Sequence, residues 1–556
     1  MKDIYALGIH IGHDRCAALV KNGELQASLA QERIDRIKHS DSSEIPYQAI
    51  DAILDYCQIT VDMIDYVAFT FSSVNAYELK QYYFEELTSH YPKGSFEVIP
   101  VSHHLAHAES AFCTSDFTKA LILVADGGGD NHGLMTEAES LYMGVNNSVY
   151  PLEARYQIPP INTINKKQSY IYPFMNKELL HNPISIGRKY EQITYMLGFK
   201  WGQCGKTMGL ASYGKSIQDY SHLQIDSFNF DLQFGTLIQE IYARYLESGL
   251  RYYEFLHNEA ANIAKTVQEL TEALLSGLIK YITQKYGIYD VCLSGGTFLN
   301  CMLNHKLLEN IPNLRLHICP ASSDDGQAVG AAFHAYKISG KNVRNTSKIL
   351  PYLGLSYTND KIKEELDAFS LNYIYYDDDE ELCKVLAHYI FENKIVAILR
   401  GRSEFGPRAL CHRSILTNPT WKGMQDHLNK EVKHREYFRP FAPVVTEERA
   451  MEIFDLKQLS PFMLLACKVH NEYRMKIPAV THVDFTARVQ TVNKAQEPFI
   501  HRLLIEFDKL AGVPVLLNTS FNDNGQPIVE SPVDAIQTYL NTNIDILVLE
   551  NYIIKK

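Results

Sequence analysis

The chain has 556 residues, 46% hydrophobic and 21% charged, with a formal net charge of −12 and a pI near 6.0. That length exceeds what one core fills, so two or more domains are expected, and the acidic balance excludes a general nucleic-acid or anionic-membrane footprint. Ten cysteines without CxxC spacing, and the absence of any signal-type or membrane-spanning apolar run, lead us to expect a cytoplasmic protein with reduced thiols.

At the start, YALGIHIG, DRCAALVK and ELQASLA read as short strands, joined by a polar turn at His13 and Asp14 and by the hairpin pair Asn22 and Gly23. Histidine titrates near neutrality and can take a proton from a hydroxyl, so His13 is a candidate general base as well as an ordinary turn residue. QERIDRIKHS groups Arg33, Arg36 and Lys38, a solvated face from which one cation can reach an anion. In VSHHLAHAESAF a helix puts His103 and His107 on one face, which is half of a metal site or a hydrogen-bonded pair.

KALILVADGGGD is a buried-type strand ending at Asp126 and turning at Gly127 and Gly128, and two more strand candidates follow it. Two strand-turn-strand units of this kind predict an internal duplication. GQCGKTMGLASYGK offers Lys206 and Thr207, but Lys200 breaks the Walker spacing, leaving a weak phosphate signal. YDVCLSGGTFLNCMLN runs a strand into Gly295 and Gly296 and then a helix near Asn300; LRLHICPASSDDGQAVGAA runs a strand into Asp324, Asp325 and a small-residue helix. Glycines at such junctions let a backbone approach phosphate. Two imidazoles with the carboxylates of Asp126 and Asp325 suit Fe, Mn or Zn, while singly Asp126 reads as a turn residue and Asp325 as a helix cap.

The polar segment SGKNVRNTS, residues 339–347, marks a linker, and the boundary is placed between 345 and 346. Beyond it GRSEFGPRALCHRSIL and KHREYFRPFAPVV set Arg402, Arg408, Arg413, Lys433, Arg435 and Arg439 among prolines and aromatics, with Arg488 on a later β-type run and Asn518, Thr519, Ser520 and Asn522 in a polar turn. Forked donors held this way point to a small-anion pocket, some of the arginines serving as buried salt bridges.

Together GHDRCAAL, HHLAHAESAF, ADGGGD, GKTMGLASYG, EFGPRAL, VKHREYFRPFAPVV, TARVQTV and NTSFN resemble the carbamoyltransferase family that includes NodU, CmcH and TobZ, over nearly the whole chain. The resemblance implies an α/β protein: a duplicated acetate/sugar-kinase and actin-like first domain, residues 1–345, and a YrdC-like second domain, residues 346–556. It implies an ATP-dependent O-carbamoyltransferase that makes carbamoyl adenylate from carbamoyl phosphate and ATP, with Mg2+ accompanying ATP, and passes the carbamoyl group to a hydroxyl of a small molecule, a natural product or sugar of secondary metabolism such as an antibiotic. On it, His103, His107, Asp126 and Asp325 carry a divalent metal, Fe2+ before Mn2+ or Zn2+. His13 is the base and Lys38 the anion contact. Arg408, Lys433, Arg439, Arg488, Asn518 and Ser520 bind carbamoyl phosphate and ATP, and Gly127, Gly128, Lys206, Gly295, Gly296 and Asn300 bind nucleotide in the first domain. The expected partners are small molecules only, with neither nucleic acid nor membrane, for a monomer or homodimer; residues 140–260 are expected to shape the acceptor pocket. Three positions depart from the family pattern: Gln31 for Glu, Cys411 for Gly and Phe485 for Gly. A small-molecule kinase and an actin-like nucleotide switch are the competing readings; the arginine-rich second domain argues against the kinase, and the switch predicts nucleotide binding unaffected by carbamoyl phosphate.

Overall fold

The computed structural model describes residues 2–72, 75–133, 135–157, 185–343 and 351–556. β1 (Tyr5–Ile11) is buried along its whole length and lies at the centre of a five-stranded sheet with β2 (Cys16–Lys21), β3 (Glu24–Ala30), β4 (Tyr66–Phe71) and β5 (Glu97–Pro100), in the order 3-2-1-4-5. β1, β2 and β3 run antiparallel, and Asn22 and Gly23 both take positive φ at the second turn, as a tight hairpin requires. β4 and β5 add parallel to β1 after chain excursions that contain helices.

The second sheet repeats this plan. β6 (Lys119–Ala125) pairs antiparallel with β8 (Met135–Val145), which pairs antiparallel with β9 (Ser148–Gln157) and with the short β7 (Asn131–His132). On its other side β6 pairs parallel with β10 (Asp290–Ser294), and that with β11 (Arg315–Ile318). The order 9-8-6-10-11 therefore matches 3-2-1-4-5 strand for strand, which is the predicted duplication. Chain ends of the parallel strands of both sheets converge on one cleft, where side chains following β6 and β11 meet.

Two helices fill the space between the sheets, His103–Cys113 and Gln327–Ile338. Their small residues permit unusually close backbone contact: a Cβ at Gly8 would lie 1.9 Å from the carbonyl oxygen of Ala328, and one at Gly330 would lie 1.8 Å from that of Ala106. These contacts fix the register of the histidine helix against the segment carrying Asp324.

The last third forms a nine-stranded mixed sheet in which Val396–Leu399, Arg413–Thr417, Val515–Ser520, Ala442–Thr446 and Thr486–Val492 are consecutive except for the chain's antiparallel and parallel alternation. The boundary placed at 345/346 lies outside the described residues. The two halves pack intimately: one apolar cluster takes in Leu293, Phe298 and Leu303 as well as Ile415, Phe441 and Leu465. Arg33 donates to the Gly406 carbonyl at 3.0 Å, Arg36 to those of Ile528 and Pro527 at 2.6 and 3.0 Å, and Asn304 to that of Leu464 at 3.0 Å. All ten cysteines are free, and no helix among the described residues is long and apolar enough to cross a membrane.

Cys411 and Phe485, where glycine was expected, hold left-handed backbone with φ of 85° and 64°. Cys411 turns inward to within 3.4 Å of Asn518 Nδ2, whereas Phe485 points outward beneath the Arg474 guanidinium. Only the first therefore alters the interior of the second half.

Gly330→Ala forces the two small-residue helices apart and is expected to cost about 1–3 kcal/mol. A lowered melting temperature with weakened cation binding would be the measured result; an unchanged melt would contradict the tight helix contact.

Candidate active site

His103 and His107 stand four apart on one helix and both point Nε2 into the cleft, where Asp126 follows the last residue of β6 and Asp324 opens a one-turn helix, Asp324–Gly326. One ligand atom from each lies within 4.8 Å of the others. His107 Nε2 is 3.3 Å from Asp324 Oδ1 and 3.9 Å from Asp126 Oδ2, and His103 Nε2 is 3.5 and 3.4 Å from the same atoms. His107 Nε2 and Asp324 Oδ1 are buried without a hydrogen-bond partner. Orphaned atoms of this kind are costly unless a ligand satisfies them, so the donor set fits a divalent cation.

The surrounding contacts orient these ligands. His103 Nδ1 faces the Phe71 carbonyl at 3.3 Å and His107 Nδ1 the Ser294 hydroxyl at 3.1 Å, leaving each Nε2 toward the cleft. Gly296 N–H donates to Asp126 Oδ1 at 2.8 Å. The Gln327 amide covers His103 Nε2 at 2.8 Å, so coordination through that nitrogen requires the amide to turn aside. Burial opposes charge on Asp324 and His103, yet their attraction to oppositely charged neighbours wins. His13 and His103 hold Asp324 well below the usual carboxylate range, and Asp324 and Asp126 raise His103 to about 9.

The carboxylate that joins Asp126 in this cluster is Asp324, where Asp325 was expected. In a one-turn helix with three residues per turn, consecutive side chains diverge by about 120°, so only one of the pair faces the histidines. Asp325 is instead pushed well above its ordinary range by burial and by the charges of Asp14 and Glu32.

His13 lies beside the cluster, half-buried, with Nε2 3.1 Å from Asp324 Oδ2 and Nδ1 3.2 Å from Asp14 Oδ2. Although burial opposes the charge, those carboxylates raise His13 to about 10. Residues not anticipated complete the surroundings. His10, fully buried inside β1, approaches Asp324 Oδ2 at 3.4 Å, Ser72 donates to that oxygen at 3.0 Å, and His39 is 2.8 Å from Asp14. Trp201 stands edge-on to both His13 and His39. A histidine in the middle of an apolar strand was the one visible signal for His10. Lys38 is exposed next to this group, and its charge reaches Lys433 of the other half.

The glycines and Asn300 also have structural contacts. Gly295 has φ of 103° and a Cβ there would strike the Ala125 carbonyl at 2.2 Å, so it lets β6 and β10 end side by side. Gly128 is crowded by Gln157, while a Cβ at Gly127 would only touch the Arg188 guanidinium, at 3.8 Å. Asn300 caps the Cys301–Asn310 helix through Leu303 N–H, and Lys206 is paired with Glu436 of the second half at 2.6 Å. Part of residues 140–260, namely 158–184, lies outside the described residues.

The arginines of the second half sort into two groups. Arg402 and Arg413 spend their donors on backbone carbonyls and are structural. Arg408, Arg435, Arg439 and Arg488 instead crowd one another: burial, with Arg488 and Arg439, pushes Arg408 down to about 9, and burial with Arg439 and Arg488 pushes Arg435 likewise to about 9. A guanidinium keeps its proton in proteins, so this depression reflects the cost of burying these cations and, after that, of crowding them, which an anion would offset. Arg408 Nε and Arg488 Nε are buried and unpartnered. Lys433 is buried against the carbonyl of Ser520 and against Asn522, and Asn518 is fixed by Ala409 and Gln490 with its Oδ1 unsatisfied.

Residues 93–333 match the family described as carbamoyltransferase N-terminus, and residues 387–556 that described as carbamoyltransferase C-terminus. An uncharacterised protein of Synechocystis is 32% identical over 98% of this chain and 95% of its own length. Nodulation protein NolNO of Sinorhizobium fredii is 32% identical over 98% of this chain and 79% of its own. Among solved structures, full-length HypF in its phosphate- and nucleotide-bound form overlaps 62% of this chain and 57% of its own at 18% identity and a TM-score of 0.42.

Asp324→Asn is expected to abolish binding of Fe2+, Mn2+ or Zn2+ in equilibrium dialysis, while Asp325→Asn retains it; the reverse would reinstate Asp325 as the ligand. In the unaltered chain a cation at a hundred times its dissociation constant stabilises the fold by about 2.7 kcal/mol, seen as a raised melting temperature.

Proposed function

The chain belongs to the carbamoyltransferase family, and on that premise we propose that it is an ATP-dependent O-carbamoyltransferase acting on a hydroxyl of a small molecule, a sugar or other natural product. The single observation that carries this reading is the pairing of two unsatisfied sites of opposite charge. One is a cluster of two carboxylates and two imidazoles in the first half; the other is a cluster of crowded arginines in the second.

The arginine pocket suits the activating step. Water cleaves carbamoyl phosphate to carbamate and inorganic phosphate; carbamate, itself a poor electrophile, then attacks the α-phosphorus of ATP and expels pyrophosphate, giving a mixed anhydride in which AMP is a good leaving group. Arg408, Lys433, Arg439 and Arg488, with Asn518 and Ser520, are the residues proposed to bind carbamoyl phosphate and ATP, because their fixed donors match phosphoryl oxygens in a buried setting. The flanking aromatics and prolines restrict water, which would hydrolyse the anhydride.

The first half suits transfer. His103, His107, Asp126 and Asp324 would hold a divalent cation, Fe2+ before Mn2+ or Zn2+, which when bound supplies Lewis-acid neutralisation of the leaving phosphate. His13 is proposed to take the acceptor hydroxyl proton as its oxygen attacks the carbamoyl carbon and AMP departs. Asp14 on Nδ1 orients that ring. The base must be neutral to act, so positive charge other than its own proton has to balance Asp324 and Asp14. Gly127, Gly128, Gly295 and Gly296 lie at the strand ends bordering this cleft, and Lys38 is proposed to contact the anionic donor from its rim.

Incubation with ATP, carbamoyl phosphate and a panel of hydroxylated metabolites, read by mass, is expected to give a carbamate product; a phosphorylated product would favour a kinase. His13→Ala is expected to slow transfer by about 10²–10⁴-fold while leaving carbamoyl-phosphate-dependent exchange of pyrophosphate into ATP, and Arg488→Gln to suppress both. Loss of exchange in the His13 variant would refute the division of labour.

A further inference from the structure

The proposed base His13 has an indole for a neighbour. Trp201 is 38% exposed, and its ring centroid stands 5.2 Å from that of His13 and 4.9 Å from that of His39, with the planes crossing at 75° and 74°. The chain has two tryptophans, and the other, Trp421, lies in the second half beside His427. Left part in water at the mouth of a charged cleft, a ring of this size gains most from a ligand with an apolar face.

The indole is held in place from two sides. It sits in the turn between the helices Ile186–Met196 and Cys204–Ala211, where Gly198 and Gly202 both take positive φ. A Cβ at Gly202 would lie 3.0 Å from His39 Nε2, so the turn rests on an imidazole whose Nδ1 is 2.8 Å from Asp14. The same segment reaches the second half through Phe199 against Phe438 and Lys206 against Glu436 at 2.6 Å. A ring fixed in advance spares binding the cost of ordering it.

Polar groups beside it suit hydroxyls. Among the described residues nothing accepts from Trp201 Nε1, and Glu32, whose Oε2 takes the His39 N–H at 2.8 Å, has no partner on Oε1. Glu32, Asp14 and His39 each bring one polar atom within 4.8 Å of the others. A flat apolar face, an N–H donor and a carboxylate acceptor around one imidazole match a saturated ring, whose C–H face is apolar and whose rim carries hydroxyls that both donate and accept. An acyclic alcohol would leave the indole face uncovered. With one hydroxyl presented to His13 and others to Glu32 and Trp201, the ring has to carry several, as a sugar does.

We propose that Trp201 is the platform on which a sugar ring of the acceptor lies, with Glu32 accepting from one of its hydroxyls. At the ~3.5–4.0 Å of carbon contact, a ring stacked there sets a further hydroxyl beside His13. This rests on the transfer reading given under Proposed function and names its substrate class.

The test uses the full chain with ATP, carbamoyl phosphate and the methyl glycosides of glucose, mannose, galactose and N-acetylglucosamine, the carbamate being read by mass. Trp201→Ala is expected to raise the KM of the carbamoylated glycoside about tenfold, the scale of one stacking contact, with kcat kept within about twofold. The KM of carbamoyl phosphate and the exchange of pyrophosphate into ATP stay unchanged, and Trp201→Phe, which keeps a ring, holds the glycoside KM near that of the unaltered chain. A fall in kcat at unchanged KM would make Trp201 a mere support for His13 and His39 and overturn the inference. If Trp201→Ala does not fold, Trp421→Phe decides: its one remaining indole is Trp201, whose emission is expected to move to shorter wavelength as a glycoside displaces water from the ring. Unmoved emission would likewise overturn it. Carbamate formed only on acceptors that are not sugars would overturn it and leave the proposed activity standing, whereas no carbamate from any acceptor would remove both.

Discussion

Asp324 has one carboxylate oxygen for each of two tasks, and the first half is arranged around that division. Oδ2 receives Ser72 and lies against His10 and His13; Oδ1 is left bare toward His103 and His107. A buried carboxylate with one saturated and one empty oxygen is stable only if positive charge sits on the empty side. His103, raised to about 9 by Asp324 and Asp126, supplies part of that charge. The duplicated sheets explain why such an arrangement can be built at all, since the carboxylates follow β6 and β11 while the histidines ride a helix packed between the sheets.

The second half presents the opposite problem. Its arginines repel one another in a buried pocket, and among the described residues no carboxylate is paired with Arg408 or Arg488, whereas Arg413 has Glu530 and a set of carbonyls. Comparing these arginines shows how the same side chain can either lock a fold or wait for a ligand, according to whether its donors are spent.

The duplication was legible from the sequence because each unit carries a strand, a polar or glycine turn and a second strand. The histidine pair was legible because the helical period puts positions 103 and 107 on one face. The choice between Asp324 and Asp325 was not legible, since adjacent residues in a loop have no period to separate them and only the one-turn helix decides. His10 went unread for a related reason: a strand of alternating small apolar residues hides a single polar member whose partners, Thr70 and Asp324, come from remote segments. The local glycine context of Lys206 gave only a weak phosphate signal, and its pairing with Glu436, on the far half of the chain, had no local signal at all.

The segment 31–40 holds Arg33 and Arg36 against backbone carbonyls of the second half while its far end places His39 on Asp14 and so beside His13. Mechanically it is a clevis pin through both bodies, seated on main-chain atoms whose identity a substitution cannot change. A chimaera joining the first half of this chain to the second half of a relative would therefore inherit its alignment from this short stretch.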